Sequence, residues 1–159
     1  MYRFIDYYHN EVQLSFENHP FLANPKHVWV VCRHKDKWLL TNHSDRGYEF
    51  PGGKVEGDET AKEAAIREVM EETGGTVETI EYIGQYKVIG KGKTIVKNIY
   101  YALISELTVQ NGYYETLGPV LMDNIPRNVK RDKRYSFIMK DDVLLKSLEE
   151  VKRRFQFER

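Results

Sequence analysis

Residues 53–74 read GKVEGDETAKEAAIREVMEETG and place Gly53, Glu59, Arg67, Glu68, Glu71, Glu72 and Gly74 at fixed intervals. On a helix each residue advances about 100°, so Glu68, Glu71 and Glu72 fall within one sector. Like charges at i,i+3 and i,i+4 repel by a few tenths of a kcal/mol each. A helix gains nothing from stacking acids this way unless a cation sits between them. Three carboxylates with no cysteine or histidine nearby make a hard oxygen site, suited to Mg²⁺ or Mn²⁺ rather than zinc. Mg²⁺ held by carboxylates completes its shell with water and substrate phosphate oxygens. The chemistry this implies is metal-assisted cleavage of a phosphoanhydride. The bland alternative is a solvated acidic face. Taking each of the seven fixed residues at roughly one in fifteen, chance yields the pattern in about one window in 10⁸. The functional reading is the stronger one.

The elements that position these residues can also be read. Thr60-Ala61-Lys62-Glu63 is a capping-box sequence, which starts a helix at Thr60. Gly74 ends it, because glycine after a last turn takes the left-handed conformation. Ile66, Val69 and Met70 are expected to supply its buried side. Gly52, Gly53 and Gly57 are expected in the loop before it, as turn formers that also let the backbone approach a ligand. A second helix is expected over about Asp141–Phe155, with Leu144, Leu148, Val151 and Phe155 on one face. Acids in its first turn and bases in its last suit the helix dipole. Apolar runs suggest strands at Val12–Phe16, His27–Arg33, Lys37–Thr41, Ile80–Ile89 and Thr94–Ile104, with a further candidate at Pro119–Met122. Lys35-Asp36 and Gly90-Lys91-Gly92-Lys93 read as hairpin turns. Strands with one helix among them and another at the end fit an α/β sandwich with a mixed sheet inside.

Composition bounds the rest. The 159 residues carry 24 basic and 24 acidic side chains, and 41% are hydrophobic. That balance is ordinary for a soluble globular chain and advertises no global nucleic-acid or membrane surface. One domain spanning 1–159 is expected. Cys32 is the single cysteine and lies in an apolar run, so it reads as a buried thiol rather than a nucleophile. No apolar leader opens the chain and no run reaches membrane-span length, which points to the cytoplasm. The five histidines are scattered without metal-ligand spacing.

At residues 53–74 the chain resembles the Nudix hydrolase family, whose signature is Gly-x5-Glu-x7-Arg-Glu-(aliphatic)-x-Glu-Glu-x-Gly-(aliphatic). Only the last position departs, with Gly75 for the aliphatic residue, which touches packing at the helix exit and leaves the carboxylates alone. The lead-in Tyr48-Glu49-Phe50-Pro51-Gly52-Gly53-Lys54 is also similar to the family's. The resemblance implies a three-layer α/β/α sandwich with a mixed central sheet. It implies Glu68, Glu71 and Glu72 as metal ligands, joined by the carbonyl of Gly52, and Glu68 as a candidate base for the attacking water. It implies that Arg67 orients Glu68 and that Glu59 pairs with Arg67. Such enzymes often recruit a further carboxylate. Glu115 is the candidate here, ahead of Glu49 and Glu106, because it precedes a Gly-Pro turn. Gly53 and Lys54 are candidates for holding the phosphate chain, Lys54 by its charge.

Longer stretches, including YRFIDYYHNEVQLSF, PKHVWVVCR and GQYKVIGK, are similar to MutT-like Nudix proteins of Gram-positive bacteria. That resemblance implies a nucleoside triphosphate substrate of the 8-oxo-dGTP or dGTP class, released as monophosphate and pyrophosphate. It equally implies the alternative of a 5′-triphosphorylated RNA. Residues 127–134, RNVKRDKR, hold five bases against one acid and could track an RNA backbone; Lys152, Arg153 and Arg154 add three more. No membrane and no stable protein partner is implied. A non-catalytic nucleotide-binding module is the third reading, weakened because the motif glutamates are intact.

Overall fold

The computed structural model describes residues 1–156. Its strands are β1 (Tyr2–Ile5), β2 (Glu11–Ser15), β3 (His27–His34), β4 (Lys37–His43), β5 (Gly47–Glu49), β6 (Gly52–Lys54), β7 (Gly75–Gly90), β8 (Lys93–Leu107) and β9 (Thr116–Met122). The helices are α1 (Ala61–Thr73) and α2 (Asp142–Phe155). The strands form one mixed sheet in the order β1-β2-β7-β8-β3-β4-β5, with β6 also on β3 and β9 also on β4. The β3–β8 pair is parallel and the other named pairs are antiparallel.

Both faces of the centre are buried, which explains why β3 reads HVWVVCRH without polar alternation. Val28, Val30 and Cys32 face Ala64, Ala65 and Val69 of α1, together with Tyr100, Ala102 and Ile104 of β8. Trp29 and Val31 face the other way, into a cluster with Ile99, Tyr101 and Leu144, Leu148 and Val151 of α2. The result is the expected α/β/α layering, and the period-2 pleat sorts one apolar run into two cores.

The capping box is present: Thr60 Oγ1 accepts from Glu63 N at 3.1 Å, and Glu63 Oε1 accepts from Thr60 N at 2.9 Å. Gly74 stops α1 at φ 75° with its N–H on Met70 O. The buried face of α1 departs from expectation. Val69 is buried, but Ile66 and Met70 remain 39% and 38% exposed. Ala64, Ala65, Val69 and Thr73 make the contact instead, and Glu72 is buried among them. Ile66 and Met70 lie about 100° and 140° round the helix from Ala65, off the sheet. Small alanines let the helix sit close, so shape rather than hydrophobicity chose the face.

Gly52 and Gly53 are strand residues of β6, not loop turns, and the backbone of Gly52 approaches β3 too closely for a side chain. A Cβ on Gly52 would stand 2.5 Å from Val28 O. Gly57 alone of the three has a left-handed φ, +49°. At Gly75 a Cβ would lie 2.9 Å from Thr73 Oγ1 and 3.1 Å from Ile104, so the missing aliphatic residue is matched by tight local packing. Both expected hairpins form, with Lys35 at φ 57° and Gly92 at φ 70°. The short strands β1, β5 and β6 were not legible, and β7 begins at Gly75 rather than Ile80. Asp141 caps α2 by accepting from Val143 N at 2.9 Å. Among the described residues, no helix is long and apolar enough to cross a membrane.

Candidate active site

The sheet and α1 frame a cavity of about 540 Å³. Glu68, Glu71 and Glu72 line it, with Glu49 and Glu115 opposite and Lys54 beside Gly53. Residues far apart in sequence are gathered because β6, the N-terminal neighbour of α1, pairs with β3, while β5 pairs with β4.

Each acid has a distinct environment. Glu72 is 6% exposed, and its Oε1 accepts from Gly52 N at 3.0 Å. Burial pushes its carboxyl up to about 9, against the pull of the Gly52 N–H. Burial likewise raises Glu68 to about 7, although Arg67 pulls the other way. Gly53 makes room for Glu68: a Cβ there would lie 2.5 Å from Glu68 Oε1. Arg67 spans the edge of the group. It grips Glu59 through Nε–Oε2 at 2.7 Å and Nη2–Oε1 at 3.0 Å, and donates to Lys54 O at 2.9 Å. Its Nη1 donates to both Glu68 Oε1 and Glu71 Oε2 at 3.0 Å. The hydrogen bonds it donates to Glu59 raise the guanidinium further, so it stays charged.

Of the candidates for a further carboxylate, Glu115 lines the cavity from an exposed, left-handed position at φ 57°. Glu49 lines it too, buried and held by Arg46 through Nε–Oε1 at 3.0 Å and Nη2–Oε2 at 2.9 Å. Glu106 pairs with Thr76 on the sheet, outside the lining. Sequence reasoning missed Arg46, Tyr114 and Lys97, which also line the cavity. The signal for Lys97 was a lysine inside an otherwise apolar strand, IVKNIYYALI. Cys32 is wholly buried, and burial raises its thiol well above the usual value, so it is no nucleophile. His27 reaches the cavity, while His43 is buried with Nδ1 facing the Asp45 and Arg46 amides.

The donor set suits a hard divalent cation. Burial disfavours the charged form of Glu68 and Glu72, and an added positive charge beside them would offset that penalty. Among the described residues no three acidic, histidine or cysteine side chains stand at ligand spacing around one point. Arg67 Nη1 bridges Glu68 Oε1 and Glu71 Oε2, at 3.0 Å from each.

Comparison with known proteins agrees with this geometry. The family described as NUDIX domain matches residues 21–112. A Bacillus subtilis (strain 168) protein described as "Putative 8-oxo-dGTP diphosphatase YtkD" is 62% identical over 152 residues, covering 96% of each chain. The crystal structure of the E68A mutant of the Bacillus subtilis pyrophosphohydrolase BsRppH superposes with a TM-score of 0.97 at 59% identity, covering 99% of this chain and 100% of that one. A NUDIX hydrolase from Nitrosomonas europaea shares the fold at 20% identity and a TM-score of 0.62, over 82% of this chain and 89% of that one. The motif, the cavity its glutamates line and these likenesses together show that the chain belongs to the NUDIX family.

Proposed function

We propose that this Nudix pyrophosphohydrolase cleaves nucleoside triphosphates of the 8-oxo-dGTP or dGTP class to the monophosphate and pyrophosphate, with Mg²⁺ or Mn²⁺. The observation that carries the reading is the cluster of Glu68, Glu71 and Glu72 on one wall of a cavity large enough for a nucleotide. The name of the 62% identical Bacillus subtilis relative points to the same substrate class.

Glu68, Glu71 and Glu72 would hold the metal, with the Gly52 carbonyl and Glu115 or Glu49 as further oxygen donors. Bound there, a divalent ion neutralises phosphate oxygens and lowers the pKa of the attacking water. Arg67 fixes Glu68 and Glu71 by a shared nitrogen, and Glu59 fixes Arg67 in turn. Glu68, tucked against Gly53, would accept the water's proton as that water attacks phosphorus. Lys54 stands exposed at the mouth of the cavity, where its charge can meet the phosphate chain.

A 5′-triphosphorylated RNA is the second reading, and one observation favours it. The basic segment 127–134 ends against β5, next to the cavity-lining Glu49: Arg134 O accepts from Tyr48 N, and Tyr48 and Tyr135 meet edge to face at 5.5 Å. The deciding experiment compares release of phosphate and pyrophosphate from dGTP, 8-oxo-dGTP and a short 5′-triphosphorylated RNA with Mg²⁺ or Mn²⁺. Pyrophosphate released fastest from a free nucleotide supports the first reading. Preference for the RNA replaces it with the second, and turnover persisting in excess chelator overturns the metal chemistry of both.

A further inference from the structure

Lys97 lines the cavity in a position that the chemistry above leaves unused. It lies in β8, opposite His27 of β3 and Tyr86 of β7, so its side chain stands on the α2 face of the sheet beside Ile99 and Trp29. There the active-site cavity meets a second one of about 220 Å³, and Lys97 and Ile138 line both.

Lys97 is half-buried, and a lysine so placed normally has an acidic partner, because an ammonium drawn out of water without one is costly. Among the described residues Lys97 Nζ makes no ion pair and no hydrogen bond. Its recorded neighbour is the Tyr86 ring, 5.7 Å from Nζ to centroid. Burial holds its pKa below the usual value, and Glu49 and Asp141 act on it through space without contact. On the same wall the indole N–H of Trp29 is buried with no acceptor. Two donors at this end of the cavity therefore have no acceptor among the described residues.

The other cations around the cavity are already committed or solvated. Arg46 is held by Glu49 through two hydrogen bonds, Arg67 by Glu59, Glu68 and Glu71, and Lys54 is exposed. The second cavity carries Asp6 and Asp141, which repel an anion. An anion entering from the glutamate side therefore meets Lys97 as the last positive charge before an acidic boundary.

We propose that Lys97 Nζ binds a phosphate oxygen of the substrate's polyphosphate chain at the junction of the two cavities. The assignment rests on the reading of the larger cavity as a polyphosphate site. It makes Lys97 a substrate-binding residue kept unpaired in the free protein, so that ligand and not protein neutralises it. Stability and affinity are then set against each other at this position.

That opposition supplies the test. Lys97→Met removes the charge and keeps the length and apolar stem; Lys97→Arg keeps a charge. Affinity for α,β-methylene-dGTP, which resists cleavage at that bond, is measured by calorimetry with Mg²⁺, beside the thermal midpoint of the free protein and KM and kcat on dGTP. Loss of one charge-assisted hydrogen bond weakens binding by roughly ten- to a hundredfold in Lys97→Met. The expected result is that loss with a matching rise in KM, an unchanged or higher midpoint, and substantial recovery of affinity in Lys97→Arg. Wild-type affinity in Lys97→Met would overturn the proposal, and so would Lys97→Arg binding as weakly as Lys97→Met. A wild-type protein that binds the analogue but hydrolyses no triphosphate would refute the functional reading and leave the Lys97 test intact.

Discussion

Gly53 and Glu68 are fitted to each other across the β6–α1 junction: any Cβ on residue 53 would stand 2.5 Å from Glu68 Oε1 and 2.6 Å from its Cδ. The glycine serves the carboxylate, since its own backbone is ordinary strand. Gly53→Ala should therefore displace Glu68 without unfolding the protein. A displacement of about 1 Å at a reacting group costs on the order of a hundredfold in rate. Steady-state kinetics with a parallel thermal melt will check this. Wild-type kcat in the alanine variant would show that Glu68 does not need its observed position.

Arg67 should act through geometry more than charge. Its planar fork meets Glu59 with two nitrogens while Nη1 bridges Glu68 and Glu71, and a lysine cannot reproduce that pattern. Arg67→Lys is expected to lower kcat by about 10- to 100-fold, as is usual when a residue orienting metal ligands is lost, with little change in KM. Glu59→Gln should give a smaller effect of the same kind. A change confined to KM would assign Arg67 to substrate binding instead.

The raised carboxyls predict an unusual pH dependence of the metal-free protein. Glu68 and Glu72 have ordinary values of 4.5 but are pushed up by burial to about 7 and about 9. Between those limits the folded state holds protons that the unfolded chain has released, so stability falls as pH rises from about 4.5 towards 9. Denaturant unfolding in chelator should show this decline. Glu72→Gln should flatten it, because an amide does not titrate. Added Mg²⁺ should restore stability most at the alkaline end, where it replaces the lost protons. A metal-free protein that grows more stable over this range would contradict the burial argument.

The basic segment allows a discriminating substitution. Lys130 pairs with Asp142 and Arg134 with Asp132, both at exposed positions where such pairs contribute little. Replacing Lys130, Arg131, Lys133 and Arg134 by glutamine should leave folding intact and spare dGTP turnover. If RNA is a substrate, its KM should rise and its salt dependence flatten. Equal loss on both substrates would remove the segment from RNA recognition.

Much of this molecule was legible in local signals. The capping box at Thr60 and Glu63 and the left-handed stop at Gly74 depend on neighbours within a few residues, and both formed as expected; Asp141, expected in the first turn of α2, caps it instead. The long apolar strands and both hairpins were legible for the same reason. The strands β1, β5 and β6, three or four residues each, carry too few side chains for a period to show. They exist because longer strands offer them an edge.

What the sequence by itself determined is the chemistry: three glutamates at helical spacing behind a glycine pair, with an arginine and a further glutamate set to hold them. Spacing along one helix settles that much, since a helix converts sequence intervals into directions. Tertiary structure decided which side of that helix is buried, placing Glu72 in the interior and Ile66 and Met70 outside. It also decided which distant residues join the site. Arg46 with Glu49, Glu115 and Lys97 come from three other places in the chain, and strand pairing brings them to one cavity. Their environment follows from that pairing: burial, a long-range property, raises the Glu68 and Glu72 carboxyls and lowers the Lys97 ammonium.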